Sequence, residues 1–286
     1  MQNRILWGLI ALFALFNAAK PLIAGTAVSA FTPFVSIAAP VIFVLLHAPR
    51  QIGWARLGLF FALCCAISWS YESLSIATGF PFGNYHYTDT LGPKLGTVPL
   101  LIMPAYFGVC YISWLIARQL TDHARPHAQP IWLVAVVAAF VMVMWDLSMD
   151  PARATVHQAW IWHDGGAYFG VPFVNFAGWL LCVLTIFLAY GATSARLSRP
   201  EPSPEGQVDA LPLGLYAALF TEFEVQAAWP HQGTIPDAMG QMWNLRDIYQ
   251  SLGLVSIFTM GFVIVLTLIK LTGQRPAAPA EPARRS

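Results

Sequence analysis

The sequence predicts an all-α polytopic membrane protein: a bundle of about eight transmembrane helices with aromatic lid loops on the non-cytoplasmic face. Hydrophobic residues make up 57% of the 286 residues and charged residues only 10%, whereas about a quarter of the residues of a soluble domain are charged. Apolar segments long enough to span a bilayer recur along the whole chain. The net charge of +1 indicates no nucleic-acid partner.

The spanning helices are predicted wherever the sequence stays predominantly apolar for about 20 residues. The segments are 4–19, 28–47, 55–77, 98–119, 130–149, 173–195, 211–229 and 248–270. The first segment resembles a secretory signal, but a retained helix is preferred because further apolar segments follow it. Together they form a single transmembrane domain over residues 1–272, followed by a Pro/Ala-rich disordered tail over 273–286.

Basic residues test this count of helices. With eight spans, 11 of the 15 Lys and Arg residues fall on one face of the membrane, and only Lys20, Lys94, Arg153 and Arg246 fall on the other. By the positive-inside rule, both termini are cytoplasmic, in a multi-pass protein of the cell (inner) membrane. Residues 196–210 are then a flexible cytoplasmic linker within the domain.

The remaining long loops, at about 78–97, 150–172 and 230–247, all lie on the poorly charged face. They are rich in glycine and aromatic residues, which predicts a lid at the membrane interface. In the second loop, Asp164-Gly165 indicates a tight hairpin between short aromatic strands. The alternative is an ordinary interfacial belt of Trp and Tyr.

Acidic residues interrupt the apolar helices, although a charge at the bilayer centre costs about 2.5–3.5 kcal/mol on insertion scales. They are Glu72, Asp146, Asp150, Glu222 and Glu224. Each falls in the lid-side half of its helix, so we expect them to converge on one cavity. Asp146 and Asp150 share a helix face, and Glu222 is preferred to Glu224 because it shares a face with Gln226 and Trp229.

In the alternative interpretation, these acids only lock the bundle by pairing with basic residues of the lid side. The candidate partners are Arg153, Lys94, Arg246 and His157. Because these partners are fewer than the acids, we expect some acids to be protonated or to face water. A neutral carboxylic acid in an apolar site is a potential proton donor.

Aromatic residues crowd the same end of the helices, and aromatic faces stabilise a desolvated cation. Acids and rings around an apolar pocket suit protonation of a carbon–carbon double bond and stabilisation of the resulting carbocation. Asn175 either serves this site or bridges helices. The histidines lack the helical spacing of di-iron hydroxylases, no lysine is placed for a Schiff base, and the four cysteines fall in apolar runs. We therefore expect neither metal nor cofactor.

Two blocks of sequence resemble the carotenoid-biosynthesis integral membrane family. They are GFPFGNYHYTDTLGPKLGTVPLLIMPAYF and WDLSMDP…WIWHDGGAYFGVPFVNFAGW, and the resemblance covers about Trp69 to Trp179. Its characterised members are carotenoid 1,2-hydratases, including the bisanhydrobacterioruberin and γ-carotene types. The resemblance implies a cofactor-independent hydro-lyase that adds water to the terminal double bond of an acyclic, lycopene-like carotenoid.

Under that resemblance, the residues are candidates for roles in a reaction that protonates C2 and captures the C1 cation with water. The proton donor is Asp146 or Glu72, and Asp150 or Glu222 holds the water. The substrate-binding candidates are Trp69, Tyr85, Tyr87, Trp145, Trp160, Trp162 and Asn175. The implied partners are the carotenoid, bilayer lipid and other carotenoid-pathway enzymes.

The alternative function is a proton-coupled transporter or carrier of a lipophilic molecule, because intramembrane acids also mark proton relays. Aromatic loops on one face only, with short connections on the other, favour the enzyme over alternating access.

Overall fold

The computed structural model describes residues 2–121, 129–194, 196–197 and 209–273. In this part of the chain, eight long helices run in alternating directions. They are α1 (Gln2–Ile23), α2 (Thr32–Gln51), α3 (Trp54–Thr78), α4 (Ile102–Leu120), α5 (Ile131–Pro151), α6 (Phe173–Ser194), α7 (Leu211–Ala228) and α8 (Leu245–Gly273). A 3₁₀ turn (Ala27–Phe31) precedes α2, and π turns extend α5 (Ala152–Val156) and interrupt α8 (Ile257–Gly261).

The helices confirm the prediction of an all-α polytopic membrane protein. Six of them are long and apolar enough to cross a bilayer. The other two, α4 and α7, are less hydrophobic over such a length, and α4 is buried without interruption from Tyr106 to Ala117. Apolar residues that project from the outer helices, such as Leu15 and Phe258, face the surroundings of the bundle.

Local sequence signals explain where several helices begin and end. Gly79 closes α3 in a left-handed conformation (φ 78°) that favours glycine, and its N–H donates to the Ser75 carbonyl. Pro33 and Pro212 occupy the first turns of α2 and α7, where a missing N–H costs little. The Asn244 side chain caps the start of α8 by accepting from the Arg246 N–H at 2.9 Å.

The loops at the lid end of the bundle form three small antiparallel pairs. Strand β1 (Tyr85–Tyr87) pairs with β4 (Trp160–Trp162), β2 (Lys94–Leu95) with β3 (Val98–Pro99), and β5 (Thr234–Pro236) with β6 (Met242–Asn244). The Phe169 and Trp243 rings, 5.3 Å apart, join the second loop to the third. The three loops therefore make one lid.

The predicted hairpin at Asp164-Gly165 is wrong. The aromatic strand before it exists, but its partner is β1 of the preceding loop, with Tyr85 opposite Trp162 and Tyr87 opposite Trp160. The Asp164 carboxylate instead accepts from Asn84 Nδ2 at 2.7 Å. Cross-strand packing of aromatic side chains thus prevails over the local turn signal.

At the opposite end of the bundle, Asp209 fixes the start of α7. Its carboxylate is hydrogen-bonded to the buried His47 ring and accepts from the Leu211 N–H at 2.9 Å. Apart from residues 196–197, 209–210 and Gly273, the predicted linker (196–210) and tail (273–286) lie outside the described residues.

Gly178 allows the lid to approach α6 closely. A Cβ atom at this position would lie 2.6 Å from the Pro81 carbonyl oxygen and 2.8 Å from the Phe82 ring. We expect Gly178→Ala to lower the free energy of unfolding by about 1–3 kcal/mol, the usual cost of overpacking. Thermal unfolding in detergent measures this change.

Gly58→Ala on α3 is the matched control, because nothing lies within 4 Å of its Cβ position. Alanine should leave the unfolding temperature unchanged or raise it. An equal loss of stability in both variants would contradict close packing of the lid on α6.

Candidate active site

A cavity of about 700 Å³ lies beneath the lid, enclosed by the lid-side halves of the helices. Most of the predicted site residues meet here. Those that line it are Glu72, Asp150, Glu222, Tyr85, Tyr87, Trp145, Trp160, Trp162 and Asn175. Asp146 and Trp69 lie outside its lining.

Glu72, near the end of α3, is surrounded by tyrosines and is only 2% exposed. The Tyr85 hydroxyl donates to Oε2, as does the Tyr87 hydroxyl at 2.9 Å, and the Tyr106 hydroxyl donates to Oε1 at 3.0 Å. Burial raises the pKa of the Tyr85 and Tyr87 phenols well above their usual range. These two lid tyrosines therefore remain protonated hydrogen-bond donors at neutral pH.

The β1–β4 ribbon places the hydroxyl groups of Tyr85 and Tyr87 at Glu72. Side chains alternate along a strand, so Tyr85 and Tyr87 both face inward while His86 faces outward. The inward rings pack against those of the opposite strand, with centroids 4.7 Å apart for Tyr85 and Trp162, and 5.9 Å apart for Tyr87 and Trp160. One ribbon thus supplies hydrogen bonds to Glu72 and an aromatic wall.

Asp150, in the last turn of α5, is held by two N–H donors and is 1% exposed. Trp160 Nε1 donates to Oδ1 at 2.9 Å, and Asn175 Nδ2 donates to Oδ2. Each carboxyl oxygen therefore accepts one hydrogen bond, from β4 and from α6 respectively. Asn175 both lines the cavity and bridges two helices.

Asp146 lies one turn before Asp150 and is fully buried. Neither of its carboxyl oxygens has a hydrogen-bond partner. Among the described residues, no ion pair includes Asp146, Asp150 or Glu72. A buried polar group without a partner costs free energy, and a buried unpaired charge costs far more.

Glu222 differs from these acids because two cations hold it. Its carboxylate pairs with Lys20 of α1 and, at 3.0 Å, with Nη2 of Arg153 beyond α5. Lys20 also donates to Ser36 Oγ at 3.0 Å. Glu222 therefore fits the alternative interpretation, in which the acids lock the bundle by pairing with basic residues. Lys20 was not among its expected partners, because the sequence placed the end of the first helix at residue 19 rather than at Ile23.

Two other predicted residues lie away from the cavity. The Trp69 ring is 37% exposed, and its Nε1 donates to the Leu95 carbonyl at 3.1 Å. Trp69 therefore contacts the β2–β3 hairpin rather than the cavity. Glu224 accepts from the Ser256 hydroxyl of α8, as expected for the acid that was not preferred.

Sequence reasoning missed several aromatic residues of the cavity, including Tyr106 and Trp179. Their rings stack with centroids 4.4 Å apart and planes 4° apart, and Trp145 packs edge-on against Trp179. Tyr106 and Trp179 could have been found by the criterion that identified the acids, because each is an aromatic residue in the lid-side half of an apolar helix. This stack extends the aromatic wall from Glu72 towards α5.

The arrangement can transfer protons to and from an apolar ligand. Glu72 and Asp150 enter the same cavity from different helices, each held by neutral donors, and aromatic faces occupy the walls. Such walls exclude water and strengthen electrostatic interactions inside them.

One curated relative is the bisanhydrobacterioruberin hydratase of Haloarcula japonica. It is 30% identical over 147 residues, which cover 50% of this chain and 48% of the relative. The chain therefore spans about half the length of the curated relative that it matches. No solved structure matches this chain.

A wider match covers most of the helical bundle. The model of the carotenoid biosynthesis protein family matches residues 31–243, a range that contains the first two lid loops, most of the third and the cavity acids described above. The chain therefore belongs to the carotenoid biosynthesis protein family.

Proposed function

We propose that this chain is a carotenoid 1,2-hydratase, which adds water to the terminal double bond of an acyclic carotenoid end group without a cofactor. The observation that carries the proposal is the meeting of Glu72 and Asp150, neither paired with a cation, in one aromatic cavity. Family membership and the hydratase activity in the relative's name support it.

The proton donor is the Asp146–Asp150 pair. Two carboxyl groups one helical turn apart disfavour simultaneous ionisation, and Asp146 has no partner that would stabilise a charge. Asp150 is the member that lines the cavity, so it delivers the proton to C2 of the double bond. The Trp160 and Asn175 N–H groups then stabilise the carboxylate that remains.

The positive charge that forms at C1 lies against aromatic faces. Each ring stabilises a desolvated cation by roughly 0.5–2 kcal/mol. Tyr85, Trp160 and Trp162 line the same cavity as Asp150. They stabilise the cation without offering a nucleophile more reactive than water.

Water completes the reaction by adding its oxygen to C1. The oxonium ion that results loses a proton to Glu72, whose three tyrosine hydroxyls stabilise the carboxylate before this transfer. One water has then been added, one proton has left the aspartate pair, and one has reached Glu72. Transfer of a proton from Glu72 back to the pair restores the starting state.

Glu222 has a structural role in this proposal and does not hold the attacking water. Both of its oxygens are engaged by cations, so it joins α1, α7 and the end of α5 on one side of the cavity. This replaces the expectation that Glu222 acts in acid–base chemistry.

The excess of basic residues at the opposite end of the bundle supports an orientation in which the lid faces away from the cytoplasm and both termini lie inside the cell. In this orientation one end of a membrane-embedded polyene enters the cavity from the lipid, and the rest of the molecule stays in the bilayer.

We expect Asp150→Asn and Glu72→Gln each to lower the rate of hydration by about 10²–10⁴-fold, the range for a lost general acid or base. Pigment analysis in a lycopene-producing host measures the product, which gains one water per converted end. The protein level of each variant is measured in the same membranes.

Glu224→Gln is the matched control, because Glu224 contacts Ser256 outside the cavity, and it should convert the pigment like the unmodified protein. Full conversion by both cavity variants would contradict the proposed roles. An unmodified protein that leaves the carotenoid unchanged would favour the carrier alternative.

Glu222→Gln should instead act on stability, because it leaves Lys20 and Arg153 without their anion. Breaking a buried pair costs about 3–5 kcal/mol when fully buried, and somewhat less here because the Glu222 side chain is 16% exposed. Thermal unfolding in detergent measures the loss. The double variant Lys20→Met/Glu222→Gln should recover part of it, and equal stability of Glu222→Gln and the unmodified protein would refute the structural role.

A further inference from the structure

A second, small cavity adjoins the first on the side of Glu222. Its volume is about 20 Å³, which leaves room for one water molecule. It shares Arg153, His157, Glu222, Gln226 and Tyr249 with the wall of the large cavity. The two cavities are therefore adjacent and share a polar part of their walls.

The polar atoms around this small cavity suit a molecule that both donates and accepts hydrogen bonds. Gln226 Oε1 is buried and has no partner, so it lacks a donor. The Arg153 guanidinium carries five N–H groups, and one of them binds Glu222. Water at this place would donate to Gln226 and accept from Arg153, within the two to four polar contacts that buried waters make.

We propose that this small cavity is the water site of the enzyme, where the nucleophile is held by Gln226 beside the reaction cavity, and that Gln226 is a positioning residue for water capture. The inference rests on the proposed hydration. Aromatic rings wall the reaction cavity around Asp150, whereas Arg153 and Gln226 belong to a polar part of its wall that it shares with the small cavity.

The consequence is a competition for the carbocation. Once a proton has been added to C2, the cation either gains water at C1 or loses a proton from C2 to the Asp150 carboxylate and returns to the alkene. In deuterium oxide, the enzyme adds a deuteron to C2. If the cation then loses the hydrogen that C2 carried at the start, the recovered alkene keeps deuterium at C2. Slower water capture therefore raises the ratio of exchanged substrate to hydrated product.

The experiment uses the full-length protein in detergent micelles with an acyclic carotenoid in deuterium oxide, and mass spectrometry of both substrate and product. For Gln226→Met, we expect hydration to fall about threefold to tenfold, as for the loss of one hydrogen bond. The exchange ratio should rise by a similar factor. A residue with only a structural role would lower exchange and hydration together.

Gln119→Met is the matched control, because Gln119 Oε1 is also buried without a partner but lies on α4 towards the opposite end, where Nε2 bonds the Asp209 carbonyl. Its exchange ratio should not change. Tyr249→Phe, which removes a hydroxyl from the same cavity, should raise the ratio and serves if Gln226→Met does not fold. An unchanged ratio in the cavity variants overturns the water site, whereas unmodified protein that forms no hydrated product overturns the hydratase proposal itself.

Discussion

Burial of carboxyl groups inside a helical bundle is the constraint on which this structure depends. A carboxylate removed from water needs a counter-ion, hydrogen-bond donors or a proton. Glu222 has two cations, Glu72 has three tyrosine hydroxyls, and Asp150 has two N–H donors. Asp146 has none of these. The acids therefore divide into one that is held by an ion pair, Glu222, and three that have no counter-ion in the described part of the chain, Glu72, Asp146 and Asp150.

The lid supplies several of the hydrogen-bond donors that these buried carboxyl groups need. Without β1 and β4, Glu72 would lose two of its three donors and Asp150 one of its two. The short ribbon has little stability alone, but its inward face is aromatic and packs against the helix ends. The lid that covers the cavity thus also supplies hydrogen bonds to the acids inside it.

The helices could be predicted from the sequence because their signal is local: each is a long apolar run. The convergence of Glu72, Asp150 and Glu222 could also be predicted, because alternating helix directions place their positions at one end. Pairings between segments that are distant in sequence could not be predicted. The Asp164-Gly165 signal suggested a local hairpin, whereas Trp160 and Trp162 pair with a strand more than 70 residues away.

Helix ends and side-chain directions were the other source of error. A first helix that continues to Ile23 turns Lys20 from a loop charge into a buried partner of Glu222. Trp69 was assigned to the cavity by its position along the chain, but its indole N–H instead bonds the Leu95 carbonyl of the β2–β3 hairpin. Tyr106 escaped notice because a single tyrosine on an apolar helix resembles ordinary packing, and only the position of Glu72 shows its role.

The proposed hydration requires the Asp146–Asp150 pair to keep a proton inside the apolar bundle. Infrared difference spectroscopy of the purified protein at neutral pH, comparing unmodified protein with Asp146→Asn, measures this proton. We expect a carbonyl stretching band of a protonated carboxyl group that is present in the unmodified protein and lost or shifted in the variant. A spectrum in which that pair contributes only ionised carboxylate bands would contradict it.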